Sequence, residues 1–125
     1  MIRLLVTAGC LFATPLMAQA QDTVFVPLPC DTAQTTAAMR WCYGAAGRQA
    51  DTAMAAVLRE TRRRALDRIA LDSAQARWLD FRDAQCRAEG TQFEGGSLKP
   101  VVVLACRLHL TERRIAYLRR LFEDL

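Results

Sequence analysis

From residue 35 onward the apolar positions recur at helical spacing. Met39, Tyr43, Ala46, Ala50, Ala53 and Val57 follow at alternating steps of four and three, which places them on one face of an amphipathic helix. Thr35 or Thr36 suits its start, because a threonine hydroxyl accepts from the unpaired N–H groups of a first turn. Gly44 and Gly47 either weaken this helix locally or admit another backbone closely. The next positions in phase are Glu60 and Arg64, so the stripe ends without a Gly or Pro to end the helix, and a bend or short break is expected. A second stripe, Leu71, Ala74, Trp78 and Phe81, resumes in a new phase and runs to about Ala88, with Gly90 as its terminator. Gly95-Gly96-Ser97 then reads as a turn or loop, and Pro100 suits the first turn of a third helix over about Val101 to Glu123.

The third helix carries two apolar faces. Leu104, Leu108, Ile115, Leu118 and Phe122 lie on one, and Val103, Cys106, Leu110, Tyr117 and Leu121 lie almost opposite. It should touch two partners: both preceding helices, or one of them and a second copy of the chain in a homodimer. The pattern predicts an all-α fold, a small disulfide-stabilised antiparallel helical bundle of about three helices.

The N-terminal segment has a different character. Arg3 supplies positive charge, the stretch from Leu4 to Leu16 is apolar apart from small residues and Pro15, and Ala18-Gln19-Ala20 offers a small-x-small cleavage site. Residues 1–20 are therefore expected to be a signal peptide removed after Ala20, and residues 21–125 a single domain in the periplasm or outside the cell. The apolar run falls short of the roughly 20 residues that span a bilayer, so no transmembrane anchor is expected. Thr7-Ala8-Gly9-Cys10 has the form of a lipid-attachment box, but too few residues precede it to engage export, and lipidation is disfavoured.

Losing Cys10 with the leader turns five cysteines into four: Cys30, Cys42, Cys86 and Cys106. In an oxidising compartment an even set implies two disulfides. Four cysteines allow three connectivities, and the helical reading favours Cys30 with Cys42 and Cys86 with Cys106. Cys86 lies four residues before Gly90 and Cys106 six after Pro100, at similar heights on an antiparallel hairpin. With no Cys-x-x-Cys, no redox pair, zinc knuckle or haem site has its spacing, and no metal or other cofactor is expected.

Charge narrows the function classes further. The chain carries 17 basic and 13 acidic residues, and removal of Arg3 lowers its net charge from +4 to +3. Arg62-Arg63-Arg64, Arg113-Arg114 and Arg119-Arg120 form short basic runs, but consecutive helical residues point about 100° apart, so a run spreads its charge around the rod. No nucleic-acid partner is expected. Asp80 and Asp83 share a helix face, as paired glycosidase carboxylates must, yet Arg77, Arg82 and Arg87 would hold both ionised when one has to stay protonated. Trp78 with Arg82 can stack and Asp83 with Arg87 can bridge, so both read as fold-determining pairs. His109 has no evident triad partners, and Ser97 sits in a loop without a nucleophile elbow. No enzyme activity is expected.

Trp78-Leu79-Asp80-Phe81-Arg82-Asp83-Ala84-Gln85-Cys86, then Gly95-Gly96-Ser97, Pro100, Cys106, Thr111 and Arg114, resembles the LprI-like lysozyme inhibitor family. That family's pattern is Trp-x-x-aromatic-Arg-Asp-x-x-Cys, a Gly-Gly-Ser/Thr loop, a third-helix Cys and Thr-x-x-Arg. Cys30, Gln34-Thr35 and Met39-Arg40-Trp41-Cys42 match its leading part. The resemblance implies a secreted helical envelope domain that binds protein stoichiometrically, with lysozyme inhibition as the family activity. Departures fall at Ala38, where the family usually has Glu, and at Met54-Ala55 and Leu58, where Leu-Asn and Tyr are common. Within this reading the loop Phe93, Glu94, Ser97 and Lys99, stapled at its base by Cys86 and Cys106, is the expected binding element, since a lysozyme cleft is lined by carboxylates that Lys99 or Ser97 would meet. The alternative is an envelope structural or adaptor protein that self-associates or binds another envelope subunit.

Overall fold

Threonine 35 opens the first long helix: its hydroxyl accepts a hydrogen bond from the Ala38 N–H at 3.1 Å. The structure, a computed structural model, describes residues 30–123, and the expected leader, its cleavage site and Cys10 lie outside them. A single 3-10 turn over Cys30–Thr32 leads into α1 (Thr36–Arg64), which is followed by α2 (Arg68–Gly90), a second 3-10 turn over Thr91–Phe93, and α3 (Lys99–Glu123).

The expected break after Arg64 is a three-residue corner. Ala65 is extended, and Asp67 caps α2 by accepting from the Ala70 N–H at 2.9 Å. The inward face of α1 drifts with the true helical pitch, so burial passes from Ala46 and Ala50 through Met54 to Thr61. It does not reach the Glu60 and Arg64 that a strict four-three step selects.

The three helices run up, down and up. Ala46 and Ala50 pack against Leu108, and Met54 packs against Ile115 and Leu118, so α1 and α3 are parallel. Cys86 pairs with Cys106, while Leu71 and Trp78 join the cluster around Leu118, so α2 runs antiparallel to both. Helix α3 is the shared element. Leu108, Ile115 and Leu118 are buried, and the opposite face meets α2 through Val103 and Cys106. Among the described side chains both apolar faces of α3 are thus used within the chain, apart from Tyr117 and Leu121, which stay exposed; that of Phe122 lies outside the described ones.

The inward face of α2 differs from the expected stripe. Phe81 is 54% exposed and Ala74 is exposed, whereas Leu71, Gln75, Trp78, Arg82 and Cys86 point inward. Two long polar side chains occupy helical positions at which apolar residues are expected, and a hydrophobic count therefore rotated the helix by about one residue. Gly90 is the last residue of α2, but for another reason than a left-handed cap: it keeps helical angles, and a Cβ there would stand 2.7 Å from a methyl group of Val103. Its missing side chain lets α3 approach. Gly95 does take the left-handed conformation, at φ +76°, where glycine costs least.

Both favoured disulfides are present, Cys30–Cys42 and Cys86–Cys106, with Cα–Cα distances of 5.7 and 5.5 Å. The second ties α2 to α3 across a sequence separation of 20 residues. Closing a loop of that length in the unfolded chain is worth about 3 kcal/mol. Replacing Cys86 and Cys106 together by Ala should lower the unfolding free energy by about that amount. Urea denaturation checks this, and a loss below roughly 1 kcal/mol contradicts the chain-entropy account.

Candidate functional site

Where α1, α2 and α3 converge, the chain places charge inside. The Arg82 side chain is only 12% exposed. Its terminal nitrogen donates to Asp51 of α1 at 3.0 Å and to the Thr111 hydroxyl of α3 at 2.9 Å, and its Nε donates to Asp83 at 3.3 Å. Thr111 is buried, so that hydroxyl depends on Arg82 for its partner. The guanidinium also lies over the Trp78 ring, 5.5 Å from its centroid, as the four-residue spacing predicts. Asp83 turns to Arg107 of α3 at 3.2 Å, and not to Arg87 as its helical spacing suggested.

A second arginine extends the seam. Arg114 lies 5.7 Å from the Trp78 ring and 5.5 Å from the Tyr117 ring, and its Nε donates to the buried Gln75 carbonyl at 3.2 Å. Burial lowers its pKa, partly offset by Tyr117. Trp78, Arg82, Asp83, Thr111 and Arg114, which the sequence groups as one motif, are therefore one spatial cluster. Phe81 stands outside it on the solvent side, and Gly95 and Gly96 form the distant turn.

Asp51, Gln75 and Arg107 also belong to the cluster and were not foreseen. Gln75 had a visible signal, since it lies three residues before Trp78 and seven before Arg82 on one helical face. Asp51 and Arg107 had none, because their roles depend on how α1 and α3 are placed around Arg82.

Beside the seam, and sharing Asp51, Arg82, Arg107 and Thr111 with it, a groove of about 190 Å³ opens between α1 and α3, with Gly44, Gly47 and Arg48 also in its lining. The two glycines do not admit another backbone. A Cβ at Gly47 would meet nothing within 4 Å, and one at Gly44 would meet only a terminal nitrogen of Arg48.

The loop between α2 and α3 presents Phe93 and Ser97 to solvent. Its turn is closed by hydrogen bonds from Glu94 to Thr91 and from Gly96 to Phe93. Lys99 is the first residue of α3, half-buried, and ion-paired with Glu94. The loop's single cation is thus tied back to its own carboxylate. The arginine triplet is likewise paired: Arg62 with Asp72, and Arg63 and Arg64 with Glu60. Among the described residues no group of three His, Cys, Asp or Glu side chains is placed to hold a metal ion, and no helix is long and apolar enough to cross a membrane.

The family model for lysozyme inhibitor LprI matches residues 30–118, more than two thirds of the chain and all four of these cysteines. The chain belongs to the LprI lysozyme inhibitor family. A relative in Rhizobium meliloti (strain 1021), uncharacterized protein R02472, is 43% identical over 55 residues. That alignment covers 44% of this chain and 40% of the relative. No solved structure matches. The family name denotes an inhibitor and not a catalyst, and the seam is the structural core of the motif that the sequence shares with that family.

Two stability experiments follow from the seam. Arg82→Leu strands the buried Thr111 hydroxyl, leaves Asp83 with Arg107 alone and returns the exposed Asp51 to water, and should cost about 2 kcal/mol. Thr111→Val should cost about 1 kcal/mol, and the double variant less than the sum, by at least roughly 0.5 kcal/mol. Strict additivity in a denaturation cycle would show that the two groups act independently. Glu112 offers the second experiment. Burial raises its pKa, with His109 opposing, and one carboxylate oxygen is shut off from water without a donor. The fold prefers the neutral acid, so the group carries no penalty below the ordinary glutamate range and a growing one as pH rises through the raised value. Glu112→Gln should melt higher than the parent at pH 7 and level with it at about pH 3, below the ordinary glutamate pKa. A lower melting temperature at pH 7 would contradict the assignment.

Proposed function

We propose that the protein is exported, loses residues 1–20, and acts as a stoichiometric inhibitor of lysozyme through the domain formed by residues 21–125. The family match over residues 30–118 is the observation that carries this reading. Two disulfides support it, since they suit an oxidising compartment outside the cytoplasm. The loop between α2 and α3 is the proposed contact. Its base is fixed by Cys86–Cys106, and its tip carries Phe93, an aromatic anchor of the kind that dominates protein interfaces. A loop already ordered by its own hydrogen bonds loses less entropy on binding.

Lysine 99 contributes less than its charge suggests, because Glu94 competes for it. Phe93 and Ser97 are therefore the residues on which the contact depends. The domain's mild positive charge gives no steering toward basic animal lysozymes, so affinity has to come from close fit.

Titrating the mature protein into an animal lysozyme acting on a cell-wall suspension tests the proposal. Lysis should stop near one molar equivalent, and Phe93→Ala should raise the inhibitory concentration about tenfold while leaving helicity unchanged. Undiminished lysis at a large excess would overturn the reading. If the protein also sedimented as a concentration-dependent dimer, the exposed Tyr117 and Leu121 of α3 would instead mark a structural, self-associating role.

A further inference from the structure

The groove between α1 and α3 has a composition that packing does not explain. Gly44 and Gly47 sit in the middle of a 29-residue helix, where glycine weakens helical structure. Neither is required by a neighbour, since a Cβ at Gly47 would project into open space and one at Gly44 would touch only the Arg48 tip at 3.6 Å. What both glycines do is keep the groove floor low. Side chains at these positions would raise it, at Gly44 directly beside the Arg48 guanidinium.

The walls are cationic. Arg48, Arg82 and Arg107 all line the groove. Arg82 is engaged through Nε and one terminal nitrogen by Asp83, Asp51 and Thr111. Arg107 has Asp83 at its Nε, but the two are misaligned, and that buried N–H has no hydrogen-bond acceptor. Arg48 has no acidic partner among the described residues. Three guanidinium groups face two carboxylates, Asp51 and Asp83, leaving an excess of one positive charge at a partly enclosed site. A single monoanion balances it, whereas a phosphate dianion overshoots. A planar carboxylate also fits the paired N–H geometry that guanidinium groups present.

We propose that this groove binds one carboxylate group, held by Arg48 and Arg107 above the Gly44–Gly47 floor, and that an acidic side chain projecting from a partner protein supplies it. Only the source of the carboxylate rests on the reading of the chain as a protein-binding inhibitor. The site is separate from the loop: Arg107 lies eight residues beyond Lys99, about 12 Å along α3.

The test uses the mature, disulfide-intact protein with nitrogen-15 labelling, following the arginine Nε–H resonances during titration with sodium glutarate. Sodium chloride at matched ionic strength is the control. Saturable shifts confined to Arg48 and Arg107, weakened at least tenfold in Arg48→Gln and in Gly47→Met, are expected. Both variants should keep the parent's amide spectrum, because neither position is packed against another element. Gly47→Ala should melt higher than the parent, as a glycine retained for the groove and not for the fold predicts. Unsaturable shifts matching chloride, or full glutarate binding by Gly47→Met, would overturn the site.

Lysozyme inhibition supplies the second arm. A tenfold loss of inhibition in Gly47→Met, with glutarate competing in the parent, assigns the carboxylate to the partner. Saturable glutarate binding with inhibition untouched in that variant overturns the assignment to a partner side chain and leaves a site for a free small carboxylate. If the parent binds glutarate but fails to inhibit lysozyme at all, the lysozyme reading falls while the carboxylate site stands.

Discussion

One guanidinium joins all three helices of this protein. Arg82 projects from α2, reaches Asp51 on α1 and Thr111 on α3 with the same terminal nitrogen, and rests against Trp78 on its own helix. Removing a charged group from water costs several kcal/mol, and that penalty is met only when its donors are matched. Here the matching partners come from three separate elements. The buried charge is satisfied in one arrangement of the helices and not in those that slide or rotate one past another. Hydrophobic packing alone would specify this less well, since Ala46, Ala50 and Leu108 are small or flexible enough to repack. Arg82 fixes the register of α1 against α3, and it is that register which opens the groove beside it.

The disulfides act at the opposite end from the corner between α1 and α2. Cys86–Cys106 closes the α2–α3 hairpin near its turn, and Cys30–Cys42 anchors the leading segment to the start of α1. Neither crosses the arginine seam. The covalent links thus hold one end of the bundle, where Cys30, Cys86 and Val101 are buried, while the ionic seam organises the middle. A domain of this size buries a modest fraction of its surface, so the covalent and ionic constraints add to what a small core supplies. This arrangement also leaves the loop from Thr91 to Leu98 exposed on a rigid base, the combination that protein recognition favours.

How far the sequence discloses this arrangement depends on the range of each interaction. Helical periodicity located α1 and α3 because their inward positions are apolar, and cysteine spacing on a hairpin pointed to both disulfides. The motif residues from Trp78 to Arg114 were legible as a group, though only the Trp78–Arg82 stacking followed from spacing. The orientation of α2 was misread for a physical reason: Gln75 and Arg82 occupy buried positions that a hydrophobic stripe assigns to Ala74 and Phe81. A polar residue is placed inside only when a partner elsewhere satisfies it, and the partners Asp51, Thr111 and Arg114 lie on other helices. The groove was invisible for the same reason, since Gly44 and Gly47 read as helix defects or as points of close backbone approach until α3 stands opposite them.

Electrostatics then limits how the protein can recognise anything. Its basic triplet is paired with Glu60 and Asp72, and its loop lysine with Glu94, so the excess positive charge is small and is spread over arginines around the helices. Long-range attraction is correspondingly weak, and the pairs themselves are exposed enough for salt to screen them. The groove is different. Its arginines sit against the low-dielectric surface of two packed helices, where an incoming carboxylate exchanges water for oriented N–H donors at short range. A domain with no field to steer a basic partner can still select one that offers an acidic side chain at the right place, because the interaction that discriminates acts only after contact. Specificity on this surface is a property of fit between a few fixed guanidinium groups and one anion, and it is inherited from the same helix register that Arg82 imposes.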